Sequence, residues 1–366
     1  MAVKLKSDRI LFLTTILLVG LSLIMVYSAS AMLAQERYQQ PYLFLTKQAL
    51  WAVLGLAFLG VIMRIDYRTY REPVFLWSSL VIVLIGLVLV LFSPPVNSAR
   101  RWFAMGGLGI QPSELAKLSA IFFIAALLER RMHRINEVRY SLTPIAVVVA
   151  LLVTLILLEP DFGTSVTLVL IASAMVFAAG LNYRFISTAA LTLLPLVAII
   201  AVAEPYRRSR LLAFLNPWDD PLNTDFQIVQ SLLAVGTGGI SGRGLMNGVQ
   251  KLFYLPYPHT DFIYAVISEE LGLIGATLVL GCFCVIAWRG LRVAVTAPDK
   301  FGALLAIGLT TMVAAQAFVN ISVVLGLVPT KGIPLPFVSA GGSSLLVNLI
   351  GMGVLLNVSQ HGSPES

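Results

Sequence analysis

Three carboxylates interrupt an otherwise apolar stretch of the chain, "YPHTDFIYAVISEELG" at residues 257–272. Asp261 stands at the start of the apolar run, and Glu269 and Glu270 follow more than two helical turns later. An acid at the centre of a membrane helix costs about 2.5–3.5 kcal/mol, so it is retained for a partner or a function. A carboxylate near the membrane surface suits general-base chemistry. The structural alternatives are a helix cap at Asp261 and buried ion pairs for the two glutamates.

A second group of residues suits the binding of an anion. The motif "ARRWF" at 99–103 places Arg100 and Arg101 beside Trp102. Two neighbouring guanidiniums match the geometry of phosphate oxygens, which predicts a phosphate clamp.

Two further residues extend this anion-binding set. Lys331 stands alone in "PTKG" at 329–332, within a segment rich in proline and glycine, and His259 lies two residues before Asp261. We expect both to contact the substrate. A lone lysine near a membrane surface often only extends its amine to water, and that alternative stays open for Lys331.

The motif "QPSELAK" at 111–117 begins a helix and brings an acid and a base close together. Glu114 lies in the first turn and Lys117 one turn later. Either a Glu114–Lys117 pair or a Lys117–Glu269 pair reduces the cost of burying these charges. We therefore expect Glu114, Lys117 and Glu269 to form a buried supporting network rather than to react.

Two other motifs invite a ligand-binding interpretation. In "LEPDFGT" at 158–164, Glu159 and Asp161 flank a proline, and paired carboxylates are candidates for a divalent-cation site, with a simple turn as the alternative. The glycine-rich "GTGGISGRG" at 236–244 follows no predicted strand and contains no Gly-Lys-Ser/Thr, so we reject a nucleotide-binding loop.

The composition decides the class of protein that must position these residues. The chain has 366 residues, of which 58% are hydrophobic and 12% charged, and its mean hydropathy is +0.89. Soluble domains carry about 25% charged residues, so an integral membrane protein is predicted. The net charge of +7 fits cytoplasmic loops and anionic lipids rather than nucleic acid. Cys282 and Cys284 alone make no zinc site.

Apolar runs predict an all-α integral membrane protein with about ten transmembrane helices, in one polytopic domain over 1–366. The first run is long enough to span, so we interpret it as an uncleaved helix rather than a signal peptide. The ten runs are 10–32, 46–63, 74–93, 112–128, 142–158, 163–180, 185–203, 261–288, 302–328 and 342–358.

The distribution of lysine and arginine predicts the orientation. Basic residues concentrate in short connections on the side of the two termini, which the positive-inside rule assigns to the cytoplasm. Residues 359–366 then form a short cytoplasmic tail. Residues 204–260 form a large extracytoplasmic loop between helices 7 and 8, whose ordered composition suggests a functional or re-entrant segment. The candidate chemistry falls on the extracytoplasmic side.

Eight motifs stand in one order along the chain: "ARRWF", "QPSELAK", "LEPDFGT", "FLNPWDDP", "QSLLAVGTGG", "QKLFYLP", "HTDFIYAVISEELG" and "PTKGIPLPFVSAGGSSLL". In this order they resemble the SEDS family, the FtsW/RodA-like proteins of bacterial division and elongation. The resemblance spans residues 10–358. The "PTKG" motif looks more like the division members, FtsW, than the elongation members, RodA.

The resemblance implies ten transmembrane helices in the bacterial cytoplasmic (inner) membrane and peptidoglycan glycosyltransferase activity. Members polymerise lipid II into β-1,4-linked glycan strands and release undecaprenyl pyrophosphate, here for septal wall synthesis during cell division. They work with a class B penicillin-binding protein, a transpeptidase, and with other divisome proteins. We expect no organic cofactor; a divalent cation, Mg²⁺ or Mn²⁺, is the one cofactor that this chemistry admits.

The resemblance also carries roles onto matching residues. The essential aspartate of the family falls on Asp261, the lysine of its last outer loop on Lys331, and its outer-loop tryptophan and arginines on Trp102, Arg100 and Arg101. Where some members have acids, this chain has Phe253 and Tyr257, and Ala340 replaces a tyrosine. More of the chemistry therefore rests on Asp261, which we expect to deprotonate the attacking sugar hydroxyl.

Two other classes of function fit many of the same residues. A lipid II flippase also places polar residues inside a helical bundle, and a non-catalytic scaffold for a division transpeptidase needs no reactive group. The ionisable motifs cluster on one side of the membrane rather than along a path, and no inverted repeat is visible. These two features favour the enzyme over the flippase, and intact Asp261 and Lys331 favour it over the scaffold.

Overall fold

A computed structural model describes residues 7–95, 99–105, 108–182, 226–252, 254–329 and 332–362, with a few isolated positions between 184 and 218. Within these ranges the chain forms ten α-helices and one antiparallel β-hairpin. The elements are α1 (Arg9–Tyr38), α2 (Leu43–Ile62), α3 (Pro73–Val90), β1 (Phe103–Met105), β2 (Leu108–Ile110), α4 (Pro112–Arg131), α5 (Thr143–Leu158), α6 (Phe162–Ala178), α7 (Phe226–Gly238), α8 (Ile263–Thr296), α9 (Lys300–Val324) and α10 (Gly342–Ser359).

The prediction of an all-α membrane protein is confirmed. In the part of the chain that the structure describes, seven helical segments are long and apolar enough to cross a membrane: α1, α2, α3, α5 with the turn before it, α8, α9 and α10. The predicted span at 185–203 lies largely outside the described residues. The described part of the predicted loop at 204–260 contains the 13-residue helix α7. Ser231 of α7 donates a hydrogen bond to the Val324 carbonyl (2.8 Å), which ties this helix to the end of α9.

The connections between helices gather at two ends of the molecule. At the first, the site end, the described parts of the connections 91–111, 159–161, 239–262 and 325–341 come together, as the contacts of Arg101 with residues 159–160 and of Ser339 with Thr260 show. At the second, the terminal end, the two chain ends come together: the Asp8 amide donates to Ser359 Oγ (3.1 Å), and the Asp8 carboxylate pairs with Arg289 (2.7 Å). All candidate functional residues from the sequence analysis, apart from Lys331, which lies outside the described residues, are found toward the site end.

The helices differ in how much of their surface faces lipid. α4, α9 and α10 pack among the other helices, and a continuous run of α4 from Ala116 to Ala126 is buried. α2, α3 and α5 instead expose many apolar side chains. Glu114 and Lys117, in the first two turns of α4, are therefore enclosed by protein, where partners can be fixed, rather than by hydrocarbon.

Helix α8 is interrupted at Gly272, where φ is +67° and ψ is −164°. The break frees carbonyl groups that an intact helix would use internally. The carbonyls of Glu269 and Glu270 accept hydrogen bonds from the backbone amides of Arg243 and Gly244, both at 3.0 Å. The segment after α7 thus satisfies backbone groups that would otherwise be unpaired inside the membrane region.

Close approach of two backbones explains the glycine-rich motif at 236–244. A Cβ atom on Gly242 would overlap the carbonyl of Glu270, so only glycine fits there. On the other side of the break, the Leu273 amide donates to the Gly239 carbonyl (2.9 Å). The motif therefore serves backbone docking, in agreement with our rejection of a nucleotide-binding loop.

We predict that Gly272→Ala lowers the melting temperature of the protein in detergent. The added Cβ would overlap the backbone of Gly242, and the positive φ at this position disfavours any side chain. Gly281→Ala on the same helix is the matched control, because a Cβ there meets no atom within 4 Å. The control should melt at or above the wild-type temperature, since alanine favours a helix over glycine by about 1 kcal/mol. Equal melting of the two variants would contradict the backbone contact.

Candidate active site

Asp261 lies immediately before α8 and is half-buried at the site end. Its carboxylate faces the backbone of Gly332: a Cβ added to Gly332 would lie 2.6 Å from Asp261 Oδ2. The main chain around it is held by the 332–340 segment. Ser339 Oγ donates to the Thr260 carbonyl (2.6 Å), and the Ala340 amide donates to the His259 carbonyl (2.9 Å). Two segments far apart in sequence therefore form one surface around Asp261.

The surroundings of Asp261 change its acidity. Burial raises the pKa of its carboxyl to about 6, Arg101 opposes this rise, and Asp161 adds to it. A carboxyl with a pKa near neutral pH is ionised under physiological conditions yet binds a proton more readily than an ordinary aspartate. Those are the properties of a general base.

Arg101 links two of the connections that meet at the site end. Its Nε donates to the Glu159 carbonyl (2.9 Å) and its Nη2 to the Pro160 carbonyl (2.6 Å). These bonds fix a positive charge that acts on the pKa of Asp261 and of Glu159. The sequence assigned Arg101 only to a phosphate clamp, and the structure adds an electrostatic influence on the acids.

The predicted clamp of two arginines does not form as a pair. Arg100 is exposed, and its Nη1 donates to the Leu91 carbonyl at the end of α3 (2.9 Å), whereas Arg101 points to the α5–α6 connection. Neighbouring side chains in an extended segment point to opposite sides, which accounts for the divergence. Trp102 is half-buried and packs near Gly109 across the hairpin.

The acids Glu159 and Asp161 have different surroundings. The Asp161 carboxylate caps α6: Oδ1 accepts from the Thr164 amide (3.1 Å), and Oδ2 accepts from Gln111 (2.9 Å) and from the Thr164 hydroxyl (2.8 Å). Glu159 is fully buried, and its carboxyl has no hydrogen-bond partner within the described ranges. The pKa of the Glu159 carboxyl is raised to about 8, mainly by burial and also by the nearby Asp161, while Arg101 acts in the opposite direction. Glu159 is therefore mostly neutral at pH 7.

These properties do not fit a divalent-cation site at Glu159 and Asp161. The oxygens of Asp161 are occupied as a helix cap, and the described residues bring no third acidic, histidine or cysteine ligand to Glu159, whereas Mg²⁺ and Mn²⁺ need several oxygen ligands. No cluster of three or more acidic, histidine or cysteine residues with metal-binding geometry occurs in the part of the chain that the structure describes. The cation proposed from these two carboxylates therefore needs other ligands.

Glu114 and Lys117 form a buried ion pair on α4, with 2.8 Å between Oε2 and Nζ. Lys117 Nζ also donates to Gln316 Oε1 on α9 (3.1 Å), and Gln316 Nε2 donates to the Pro334 carbonyl (3.1 Å). The pair therefore continues through α9 to the segment that faces Asp261. The sequence allowed Lys117 to pair with Glu114 or with Glu269, and in the structure it pairs with Glu114.

The expected membership of Glu269 in this network is wrong. Glu269 Oε1 accepts from the Val249 amide (2.7 Å) and faces Arg243 (3.4 Å). The reason is the break in α8, which brings the glycine-rich segment against this part of the helix. Glu269 holds the segment that leads to Asp261, and Lys117 is paired elsewhere.

Glu270 belongs to the same second network and has partners that sequence reasoning missed. Its carboxylate pairs with Lys251 (2.6 Å) and accepts from Ser28 Oγ on α1 (2.7 Å) and from the Met246 amide (3.1 Å). Lys251 is itself buried. The one sequence feature that could have predicted this pair is Lys251, a lysine without a nearby acid that precedes Glu269 and Glu270 by about 20 residues.

Two predicted anion-binding residues remain. His259 stacks on Phe44 with 4.7 Å between ring centroids, and burial lowers the pKa of its imidazole to about 4. It is therefore neutral at pH 7 and brings no positive charge to a pyrophosphate. Lys331 lies outside the described residues, although its neighbour Gly332 lies against Asp261.

Comparisons with known proteins agree over nearly the whole chain. The family model FTSW_RODA_SPOVE, described as "Cell cycle protein", matches residues 8–363. A probable peptidoglycan glycosyltransferase FtsW of Geobacter metallireducens is 43% identical, covering 98% of this chain and 96% of the relative. Stage V sporulation protein E of Bacillus subtilis is also 43% identical, covering 98% of each.

Two solved structures share the fold. A chain from a study of "Structural coordination of polymerization and crosslinking by a peptidoglycan synthase complex" is 31% identical with a TM-score of 0.79, covering 96% of this chain and 97% of that one. Rod shape determining protein RodA of Thermus thermophilus is 27% identical with a TM-score of 0.71, covering 98% of each chain. An aspartate-to-alanine mutant of that RodA matches equally well.

We predict that Lys117→Met lowers the free energy of unfolding by about 3–5 kcal/mol, because it leaves the Glu114 carboxylate buried without its cation. Arg134→Met is the matched control, since Arg134 and Glu137 have the same three-residue spacing but are more than half exposed. The control should change stability by about 1 kcal/mol or less. Unfolding in detergent measures both, and similar losses would show that burial of the pair does not matter.

Proposed function

The chain belongs to the FtsW/RodA/SpoVE family of cell cycle proteins and is a multi-pass membrane peptidoglycan glycosyltransferase, and we propose that Asp261 is its general base. One observation carries this assignment. Asp261 is the acid that lies between the 332–340 segment and Arg101 at the site end, with its pKa raised to about 6. Glu159 is neutral and enclosed, and Asp161 is occupied as a helix cap.

The proposed reaction is the polymerisation of lipid II. The C4 hydroxyl oxygen of the acceptor GlcNAc attacks the anomeric carbon of the donor MurNAc, and Asp261 takes the hydroxyl proton. The bond from that carbon to the pyrophosphate breaks, and undecaprenyl pyrophosphate leaves with the electron pair. Attack opposite to the leaving group converts the α-linked donor into a β-1,4 bond.

The leaving pyrophosphate gains negative charge, and cations near Asp261 would stabilise it. Arg101 is held in place by two carbonyl groups, and Lys331 precedes the glycine that faces Asp261. We assign these two residues to the pyrophosphate. Arg100 and Trp102 belong to the same outer segment and are proposed to contact more distant parts of the substrate, and neutral His259 would offer a hydrogen bond rather than charge.

A divalent cation, Mg²⁺ or Mn²⁺, stays part of the proposal in a changed form. Since Glu159 and Asp161 do not fit as ligands, we propose that such a cation would be bound mainly by the pyrophosphate of the substrate. It would supply positive charge to the leaving group.

The distribution of charge supports an extracytoplasmic site. Most of the basic residues that the structure describes lie at the terminal end, including Arg64, Arg68, Arg71, Arg130, Arg131 and Arg134. By the positive-inside rule we place both termini in the cytoplasm and Asp261 on the outer side of the bacterial inner membrane.

A partner and a cellular role follow from the relatives. The solved chain with a TM-score of 0.79 comes from a complex that coordinates polymerization with crosslinking. We propose that this chain likewise works with a class B penicillin-binding protein that crosslinks its product. The FtsW names among the relatives support a role in division together with other divisome proteins.

We predict that Asp261→Asn abolishes glycan synthesis from labelled lipid II by the purified protein with its transpeptidase, while folding is preserved. The amide has the shape of the carboxylate but cannot take the proton. Asp66→Asn, at the terminal end, is the matched control and should keep full activity, because asparagine caps a helix as well as aspartate. Glycan ladders from Asp261→Asn would remove Asp261 as the base.

The same preparations separate the alternative functions. If wild-type protein made no glycan but moved lipid II across vesicles, the flippase would be favoured. If it did neither, yet Asp261→Asn supported growth, the scaffold would be favoured.

We predict that the rate falls on the acidic side with a midpoint near the Asp261 pKa of about 6. The base must be ionised, so protonation inactivates the enzyme, and the rate should drop about tenfold between pH 7 and pH 5. Arg101→Gln should move this midpoint upward, because Arg101 lowers the pKa of Asp261. Steady-state rates at saturating lipid II measure both midpoints, and an unchanged midpoint in Arg101→Gln would contradict the proposed electrostatic contact.

A further inference from the structure

Asn320 of α9 joins the two segments that face each other at Asp261. Its Nδ2 donates one hydrogen bond to the Asp261 carbonyl (2.8 Å) and one to the Ile333 carbonyl (2.7 Å). The side chain is 1% exposed, so these bonds are shielded from water. A single amide group therefore sets the spacing between the main chain at Asp261 and the main chain after Gly332.

This spacing controls the surroundings of the Asp261 carboxylate. Gly332, directly before Ile333, comes close enough that an added Cβ would lie 2.6 Å from Asp261 Oδ2. Ser339 also joins the two segments, but it donates to the carbonyl of Thr260 rather than to that of Asp261. Asn320 is the described side chain that binds both the reactive residue and the segment opposite it.

The remaining hydrogen-bonding capacity of Asn320 is also informative. Its Oδ1 is buried and has no hydrogen-bond partner among the residues that the structure describes. A buried polar atom without a partner destabilises a protein, and an apolar side chain of the same size avoids that cost. Asparagine therefore brings one unpaired oxygen to this position, and its two N–H donors allow a single side chain to fix two carbonyl groups.

We propose that Asn320 is a positioning residue that orients Asp261 toward the acceptor hydroxyl without itself touching the reacting atoms. This inference rests on the proposed role of Asp261 as general base. Gln316, one helical turn earlier on α9, supports the same segment through the Pro334 carbonyl (3.1 Å). Asn320 differs from Gln316 because it also binds Asp261 directly.

The test compares Asn320→Leu with Asn348→Leu, each in the complex with the transpeptidase. Asn348 is an equally buried asparagine, and its Oδ1 is likewise unpartnered in the described structure. Its Nδ2 binds only Ser344 within its own helix, at 2.8 Å to the carbonyl. Both variants replace a buried amide by a side chain of similar size, but only Asn320→Leu releases Asp261.

We expect Asn320→Leu to lower kcat for glycan synthesis by about 10- to 100-fold, as displacement of a reactive group by about 1 Å does, with KM for lipid II changed less than about threefold. Asn348→Leu should leave both constants near wild type. Asn320→Asp has the same shape as asparagine but cannot donate to both carbonyl groups at once, since it has one O–H donor when protonated and none when ionised, and it should also lower kcat. It serves as the second variant if Asn320→Leu does not fold.

A folded Asn320→Leu or Asn320→Asp protein with wild-type kcat would overturn the inference and leave the proposed function intact. Equal losses of kcat in the Asn320 and Asn348 variants, following their melting temperatures, would also overturn it, because a general loss of stability would then be the cause. Absence of glycan from the wild-type complex would instead reject the proposed function itself.

Discussion

The interruption of α8 at Gly272 is the constraint on which the site depends. A helix broken within the membrane leaves carbonyl and amide groups that hydrocarbon cannot satisfy, and the glycine-rich segment after α7 supplies their partners. That docking brings backbone amides and Lys251 to the acids Glu269 and Glu270. The acids therefore hold the segment whose far end carries Asp261, which explains their place in an apolar helix.

Two buried networks converge on Asp261 from different sides. The first contains Glu269 and Glu270 and holds the chain before Asp261. The second runs from the Glu114–Lys117 pair through Gln316 to the 332–340 segment opposite it. Because each charge in these networks is paired or hydrogen-bonded, burial is compatible with stability. Asp261 is left as the half-buried acid between them, and its raised pKa follows from that position.

The comparison of Glu159 with Asp161 shows why paired acids in a motif do not by themselves define a metal site. The two residues are separated by one proline, yet one caps a helix and the other is a neutral, enclosed carboxyl. Their difference comes from Gln111 and Arg101 of the 91–111 connection and from Thr164 in the first turn of α6. The positive charge of Arg101 acts on the pKa of Glu159 and on that of Asp261.

The sequence by itself determined the all-α membrane class, most helix positions and the family, and it made Asp261 the candidate base, because apolar run length and local motif order carry that information. It also offered the Glu114–Lys117 pair as one of two pairings for Lys117, since three-residue spacing on a helix is a local property, and the structure decided between them. Only the tertiary structure decided the partners of Glu269, the divergence of Arg100 from Arg101, the neutral state of His259 and the contacts of Asn320. Each depends on contacts between distant segments, and on the burial they create, which no local pattern encodes.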